Sequence, residues 1–148
     1  MSRKTRTAGF TLLEVLISFV VLLVLVGAGA LLTQPFQAHG ELEAGVDTLV
    51  TALYRAQTLS RAMTGESSWG VRVDPGQIVV FKGSSYAGRD ASADEMSQLS
   101  LAVTPTGLAE VVFNQLTGEP QQFGTTTLTA RQGEVRTVFI NAKGTVFY

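Results

Sequence analysis

Glu14 occupies the position in this sequence with the clearest chemical consequence, because it is the single charge in an apolar run from Phe10 to Leu32. As a helix, this 23-residue run would be about 35 Å long, enough to cross a hydrocarbon core of about 30 Å. A carboxylate inside such a segment costs about 2.5–3.5 kcal/mol on insertion scales. Glu14 is therefore expected to have a polar partner and a function.

The residues before Glu14 carry a second signal. Gly9 and Phe10 separate a short leader with three basic residues from the apolar run. This arrangement resembles the class III signal of type IV pilins and type II secretion pseudopilins, which prepilin peptidase cuts after the glycine. The resemblance implies cleavage between Gly9 and Phe10, N-methylation of Phe10, and pairing of the Glu14 carboxylate with the new amino group during assembly with other pilins.

Two other interpretations of this segment are open. An ordinary secretory signal peptide also joins a basic region to an apolar one, and Ala28-Gly29-Ala30 could be its cleavage site. A plain single-span membrane anchor is the second. Neither accounts for an acid four residues after Phe10, and the apolar region of a signal peptide is usually only about 7–15 residues long. The pilin-type interpretation is therefore favoured.

Candidate catalytic and metal-binding groups are sparse in the rest of the chain. The segment Gly83-Ser84-Ser85-Tyr86-Ala87 lacks the second glycine of a nucleophile elbow, and the single histidine, His39, lies far from it in sequence. Asp90, Asp94 and Glu95 could offer oxygen ligands to calcium, but their spacing matches no known metal loop. We therefore predict that the protein is not an enzyme and uses no cofactor and no metal.

The charge of the chain argues against general nucleic-acid binding. Eleven Lys and Arg face twelve Asp and Glu, and loss of residues 1–9 would change the net charge from −1 to −4. Binding requires a basic footprint that neutralises phosphates. Arg131, Arg136 and Lys143 could form one only if their turns and strand meet at one sheet edge. There are no cysteines, which excludes disulfides and thiol sites.

The elements that position these residues divide into a helical part and a strand-rich part. Pro35 predicts a kink after the apolar run. From Leu42 to Met63, apolar residues recur at alternating steps of four and three, which predicts an amphipathic helix with one face on a globular domain. It is expected to end near Thr64-Gly65. The segment from Phe10 to about Thr64 would thus be one long, kinked helix.

From Ser68 the hydrophobic period changes to two, which is typical of half-buried strands. Asp74-Pro75-Gly76-Gln77 suits a type II turn. Residues 83–97 have no periodicity and are predicted to be a polar loop. Strands are predicted at residues 69–74, 78–82, 98–104, 110–115, 125–130, 135–141 and 145–148. This pattern predicts an α+β fold in which antiparallel β-sheet packs around the helix.

The strand-rich part is also similar to a known family. Its order of Trp69-Gly70-Val71, then Val111–Asn114 with Gly118, then Val138–Asn141 before Gly144 resembles the GspH/FimT group of minor pseudopilins. The resemblance implies a long N-terminal helix, two antiparallel sheets and a position at or near a filament tip. FimT-type members that take up DNA carry an arginine-rich C-terminal stretch. Here only three spaced basic residues precede an apolar end.

Together these features predict a minor pseudopilin of a type II secretion pseudopilus or a type IV pilus-like filament. The predicted parts are a leader (1–9), a transmembrane assembly helix (10–32), an amphipathic helix (33–65) and a β-rich domain (66–148). The partners would be prepilin peptidase, other pilins and the inner membrane, with the C-terminal domain extracytoplasmic. A DNA-binding minor pilin is the alternative, and a secreted hydrolase is a third hypothesis.

Overall fold

The computed structural model describes residues 10–32 and 34–148 of the backbone, and the side chains of residues 10–27 and 39–148. Two helices are followed by a 3₁₀ turn, Thr64–Glu66, and eight strands. The helices are α1 (Leu12–Leu32) and α2 (Gln34–Arg61). The strands are β1 (Trp69–Asp74), β2 (Gln77–Lys82), β3 (Asp90–Gln98), β4 (Val103–Gly107), β5 (Glu110–Phe113), β6 (Gly124–Ala130), β7 (Val135–Ile140) and β8 (Val146–Phe147).

The strands form two antiparallel sheets of four strands each. Sheet 1 has the order β3-β2-β1-β5, and sheet 2 has the order β4-β6-β7-β8. The chain divides into two compact units, Met1–Phe36 and Gln37–Tyr148, and both sheets belong to the second. The predicted α+β class, with a helix packed on antiparallel sheets, is confirmed.

One hydrophobic core joins α2 to the inner faces of both sheets. The predicted stripe on α2 is buried at Leu42, Leu49 and Ala56, each at most 1% exposed. In sheet 1, Val71 lies opposite Val80 on one neighbour and Val111 on the other, so apolar side chains align across three strands. The period-four-and-three pattern and the period-two pattern thus face the same core, as their spacings require.

A smaller apolar cluster lies on the outer face of sheet 1. Val79, Phe81 and Val112 are buried there, and Tyr86 packs against them from the segment between β2 and β3. The Phe81 and Tyr86 rings meet edge to face, with centroids 5.5 Å apart. Because this segment covers the cluster, β2 is buried on both faces, which explains its nearly continuous apolar sequence.

The predicted single helix with a kink at Pro35 is not shown. Residue 33, between α1 and α2, lies outside the described residues, and Pro35 is the second described residue of α2. The predicted helix end near Thr64-Gly65 is also displaced. The helix stops at Arg61, and Met63 adopts a left-handed backbone with φ 54°.

Two strand predictions are wrong. Residues 83–97 were expected to be a loop, yet β3 pairs with β2 along most of its length. As an edge strand with mostly exposed residues, β3 has no apolar alternation to reveal it. The strand predicted at 98–104 is instead β4, which passes through Pro105. Proline fits there because β4 is an edge strand, and on its outer side no neighbouring strand needs an N–H donor.

Candidate functional site

Thr11 immediately precedes α1 and organises the turn that carries Glu14. The Thr11 carbonyl accepts from the amides of Glu14 at 3.1 Å and Val15 at 3.2 Å. The Thr11 hydroxyl also accepts from the Glu14 amide, at 3.3 Å. Thr11 and Glu14 have the spacing of a capping box, and a carboxylate in the first turn is favoured by the helix dipole. The sequence reasoning singled out Glu14 but missed Thr11.

The surface of α1 is apolar and exposed. All side chains of residues 10–27 are exposed, from 82% for Phe10 and 84% for Leu12 to 47% for Val15. The Ser18 hydroxyl donates to the Glu14 backbone carbonyl at 2.8 Å, so its proton is hydrogen-bonded within the helix. The Glu14 carboxylate forms no ion pair with any of the described side chains, those of residues 10–27 and 39–148. It therefore remains available to a group from outside them.

Two predictions about this segment are not resolved by the structure. Gly9, the residue before the predicted cleavage site, lies outside the described residues. Within the residues that are described, no helix has both the length and the apolar character that a membrane crossing demands. The assignment of residues 10–32 to a transmembrane helix stays a prediction.

Comparison with known proteins identifies the same segment. Residues 4–30 match the prokaryotic N-terminal methylation motif. This match supports a type IV pilin-like protein. The motif is the substrate signal of prepilin peptidase and indicates a pilin-like subunit that assembles with other pilins into a pilus or pseudopilus. No curated protein and no solved structure matches the chain.

The three basic residues considered as a nucleic-acid contact do not come together. Arg131 lies in the turn between β6 and β7, Arg136 lies near the start of β7, and Lys143 lies in the turn after β7. Strand β7 is roughly 17 Å long at about 3.3 Å per residue. Arg131 and Lys143 therefore lie at opposite ends of sheet 2 and do not share an edge.

Two of these three cations are also engaged by carboxylates. Arg136 lies 2.7 Å from Glu43 on α2 and 3.1 Å from Glu134. The Lys143 ammonium lies 2.8 Å from Glu119, which raises the pKa of Lys143 by hydrogen bonding and charge attraction. Phosphates would have to compete with these carboxylates, so the arrangement favours local ion pairing over a continuous basic surface.

The carboxylates considered as calcium ligands also point to separate partners. Asp90 accepts from the hydroxyl and amide of Ser92, and these hydrogen bonds lower the pKa of Asp90. Asp94 pairs with Arg89 at 2.8 Å, and Glu95 pairs with Arg55 at 3.0 Å. No group of three possible metal ligands occurs among the described residues.

The catalytic residues considered in the sequence are likewise apart. His39 Nδ1 lies 3.0 Å from the Glu134 carboxylate, near the turn between β6 and β7. The hydroxyl of Ser85 instead accepts from the Gly88 amide at 3.2 Å, in the segment after β2. A histidine held beside a carboxylate could act as a base, but it has no described serine beside it. The geometry does not form a Ser-His pair.

A groove of about 460 Å³ lies between α2 and strands β2 and β3. Its charged residues are Asp47 and the Arg55–Glu95 pair, and Glu95 raises the pKa of Arg55 by hydrogen bonding. The lining is Asp47, Thr48, Thr51, Ala52, Arg55, Val80, Glu95 and Ser97. The hydroxyl groups in the lining belong to Thr48, Thr51 and Ser97. No histidine lies in the lining to activate them, so the groove has no hydroxyl–histidine pair.

Sequence reasoning missed two buried polar residues on α2. The Gln57 amide donates to the carbonyls of Gly118 at 3.0 Å and Gly144 at 3.1 Å, linking two turns that are far apart in sequence. Ser60, which is fully buried, accepts from the Trp69 amide at 2.9 Å and donates to Phe113 O at 3.2 Å. Their signal in the sequence is a polar side chain on the apolar stripe of a helix.

Proposed function

We propose that the protein is a minor pseudopilin, a structural subunit at or near the tip of a type II secretion pseudopilus or a type IV pilus-like filament. The observation that carries the proposal is the methylation motif at residues 4–30. The strand-rich domain following α2 supports it, since the GspH/FimT resemblance leads us to expect a helix on two antiparallel sheets. The tip position and the choice of machine rest on that resemblance.

In this proposal the N-terminal segment anchors the precursor and later assembles the filament. Prepilin peptidase cuts between Gly9 and Phe10, and Phe10 is then N-methylated. The exposed apolar surface of α1 is covered by lipid in the precursor and by neighbouring helices in the filament. The basic leader stays cytoplasmic by the positive-inside rule, so the domain is extracytoplasmic.

Glu14 pairs in this scheme with the new amino group of Phe10, on its own or a neighbouring chain. Its carboxylate has no ion pair among the described residues, and Thr11 holds its backbone at the start of α1. In a low-dielectric surrounding, pairing offsets much of the cost of desolvating two charges. Glu14 therefore acts in assembly and takes no part in a reaction.

The protein has a structural role and no catalytic one. The groups considered as catalysts have separate partners, since His39 lies beside the Glu134 carboxylate and Ser85 accepts from the Gly88 amide. A DNA-binding minor pilin is the less favoured function, because Arg131 and Lys143 lie at opposite ends of β7 and Lys143 is paired with Glu119.

The test compares full-length wild type with Glu14→Ala, Glu14→Gln and Gly9→Val in the native host. Mass spectrometry is expected to find wild type beginning at N-methyl-Phe10, whereas Gly9→Val remains an uncleaved precursor. Glu14→Ala and the isosteric Glu14→Gln should both be cleaved but lost from the sheared filament fraction, because both lack the charge. Wild type with another N-terminus would refute the processing step, and normal assembly of Glu14→Gln would refute the role of the carboxylate.

A further inference from the structure

The outer face of sheet 2, which faces away from α2, is uncharged. Strand alternation assigns nine positions to it, because their neighbours along each strand are the buried core residues such as Leu128 and Val138. None of the nine is charged. They are Thr104 and Thr106 on β4, Thr125, Thr127 and Thr129 on β6, Val135, Thr137 and Phe139 on β7, and Phe147 on β8.

One end of this face carries exposed aromatic side chains. Phe139 and Phe147 are cross-strand partners, with ring centroids 6.1 Å apart, and they are 40% and 54% exposed. Phe123, 60% exposed, lies just before β6, two residues before Thr125, the partner of Phe139. Clustered exposed aromatic residues are typical of interaction surfaces.

We propose that this outer face of sheet 2 docks the globular domain of the adjacent pilin-like subunit in the filament, through an apolar and uncharged surface. The first argument is charge. Residues 41–148 have eight Lys and Arg against eleven Asp and Glu, a net charge of −3. A basic partner would find no carboxylate on this face with which to form an ion pair. An apolar partner that binds this face leaves the acidic groups elsewhere on the domain in water.

The second argument is area. Strands of five, seven, six and two residues, about 4.8 Å apart and rising about 3.3 Å per residue, present roughly 300 Å². A contact of that size buries about 600 Å² over both partners, below the roughly 1,200 Å² or more of a stable independent complex. The face therefore suits a partner already held close by another contact, as one subunit holds its neighbour in a filament assembled through the N-terminal helices. The inference rests in this respect on the proposed function.

The edges of sheet 2 favour a contact through the face. Pro105 removes a backbone donor from the edge strand β4, and the opposite edge strand, β8, is only two residues long. Both features discourage the addition of a further strand. The neighbouring domain is thus expected to pack on side chains such as Thr137 and Phe139 and to leave the backbone edges unpaired.

The test places the photo-crosslinking residue benzoylphenylalanine in the full chain at Thr137, and at exposed Met96 on β3 as the control. Cells of the native host are irradiated, and adducts are identified by mass spectrometry. Thr137 is expected to yield an adduct with a chain that carries its own N-terminal methylation motif, at least about threefold more than Met96 does. Phe147→Thr should lower this adduct several-fold, and the mature N-terminus should be unchanged.

Failure of the inference can be separated from failure of the proposed function. If the chain is processed and found in the sheared filament fraction, but Thr137 forms adducts only with lipid, with a secreted protein or with nothing, the inference is wrong and the proposed function stands. Equal adducts from Thr137 and Met96 would also overturn it. If the chain is absent from filaments, both fail together.

Discussion

Gly144 and Gly133 form a matched pair that tests how the β-domain is held to α2. Both glycines lie in turns next to β7 and both have left-handed backbones, with φ of 79° and 86°. A methyl group at Gly133 would meet nothing within 4 Å. At Gly144 it would collide with the Gln57 amide and lie 3.0 Å from the Gly118 carbonyl. Alanine therefore adds the same backbone strain at both sites and crowding at only one.

The expected magnitudes follow from these contacts. Left-handed backbone costs an L-residue about 1–2 kcal/mol, so Gly133→Ala should lower the free energy of unfolding by that amount. Gly144→Ala should in addition displace Gln57 from its two carbonyl acceptors, at about 1 kcal/mol for each bond and more for groups left buried without a partner. The total for Gly144→Ala is about 3–5 kcal/mol.

The assay is thermal and urea unfolding of residues 37–148 carrying either substitution. At about 4 °C per kcal/mol for a domain of this size, Tm should fall by about 4–8 °C for Gly133→Ala and about 12–20 °C for Gly144→Ala. Equal decreases in the two variants would refute the reasoning, because they would show that Gln57 is not held by the Gly144 turn. A double variant with Gln57→Ala should be less destabilised than the sum of its single changes.

Three further outcomes are expected. Gln57→Leu should lower the free energy of unfolding by about 2–4 kcal/mol, whereas Leu at the exposed Gln98 should change it by less than about 0.5 kcal/mol, both measured by urea unfolding. Glu119→Gln should lower the pKa of Lys143 towards its ordinary 10.5, as followed by NMR of the lysine side chain. Since folding raises that pKa, the pair stabilises the domain below pH 10.5, and its contribution should disappear as the pH rises through the folded-state value. Residues 37–148 should not shift double-stranded DNA at physiological salt. A micromolar shift that is lost when Arg131, Arg136 and Lys143 are changed to alanine would favour the DNA-uptake alternative.

Much of the fold could be predicted because its signals are local. The stripe on α2 and the alternation in β1 consist of apolar side chains that are buried at regular intervals. Each buried side chain contributes its own free energy of transfer from water. The turn after β1 was predicted from Pro75 and Gly76, and Gly76 has the positive φ of 87° that a type II turn requires at this position. The N-terminal motif is likewise contiguous, which is why the basic leader, Gly9-Phe10 and Glu14 were enough to suggest a pilin-type signal.

The errors occur where a neighbour in space replaces a local preference. Strand β3 is held by backbone pairing with β2, so its polar, exposed side chains contain no signal of it. The strand predicted at 98–104 stopped before Pro105, because the sequence does not show that this strand lies at a sheet edge. In both cases the hydrogen bonds of the backbone outweigh side-chain preference, and the pairing partner is distant in sequence.

The candidate sites likewise divide into features that the sequence determines and features that only the tertiary structure determines. The sequence alone determined the position of Glu14 in an apolar run, the predicted cleavage site at Gly9-Phe10 and the acidic balance of the domain, because these depend only on residue type and order. Tertiary structure alone decided that Arg131 and Lys143 are separated by β7, that Gln57 joins two turns, and that Phe139 meets Phe147 on an uncharged face. Charges and hydrogen bonds act over a few ångströms, so their effect depends on which distant residues the folded chain brings within that range.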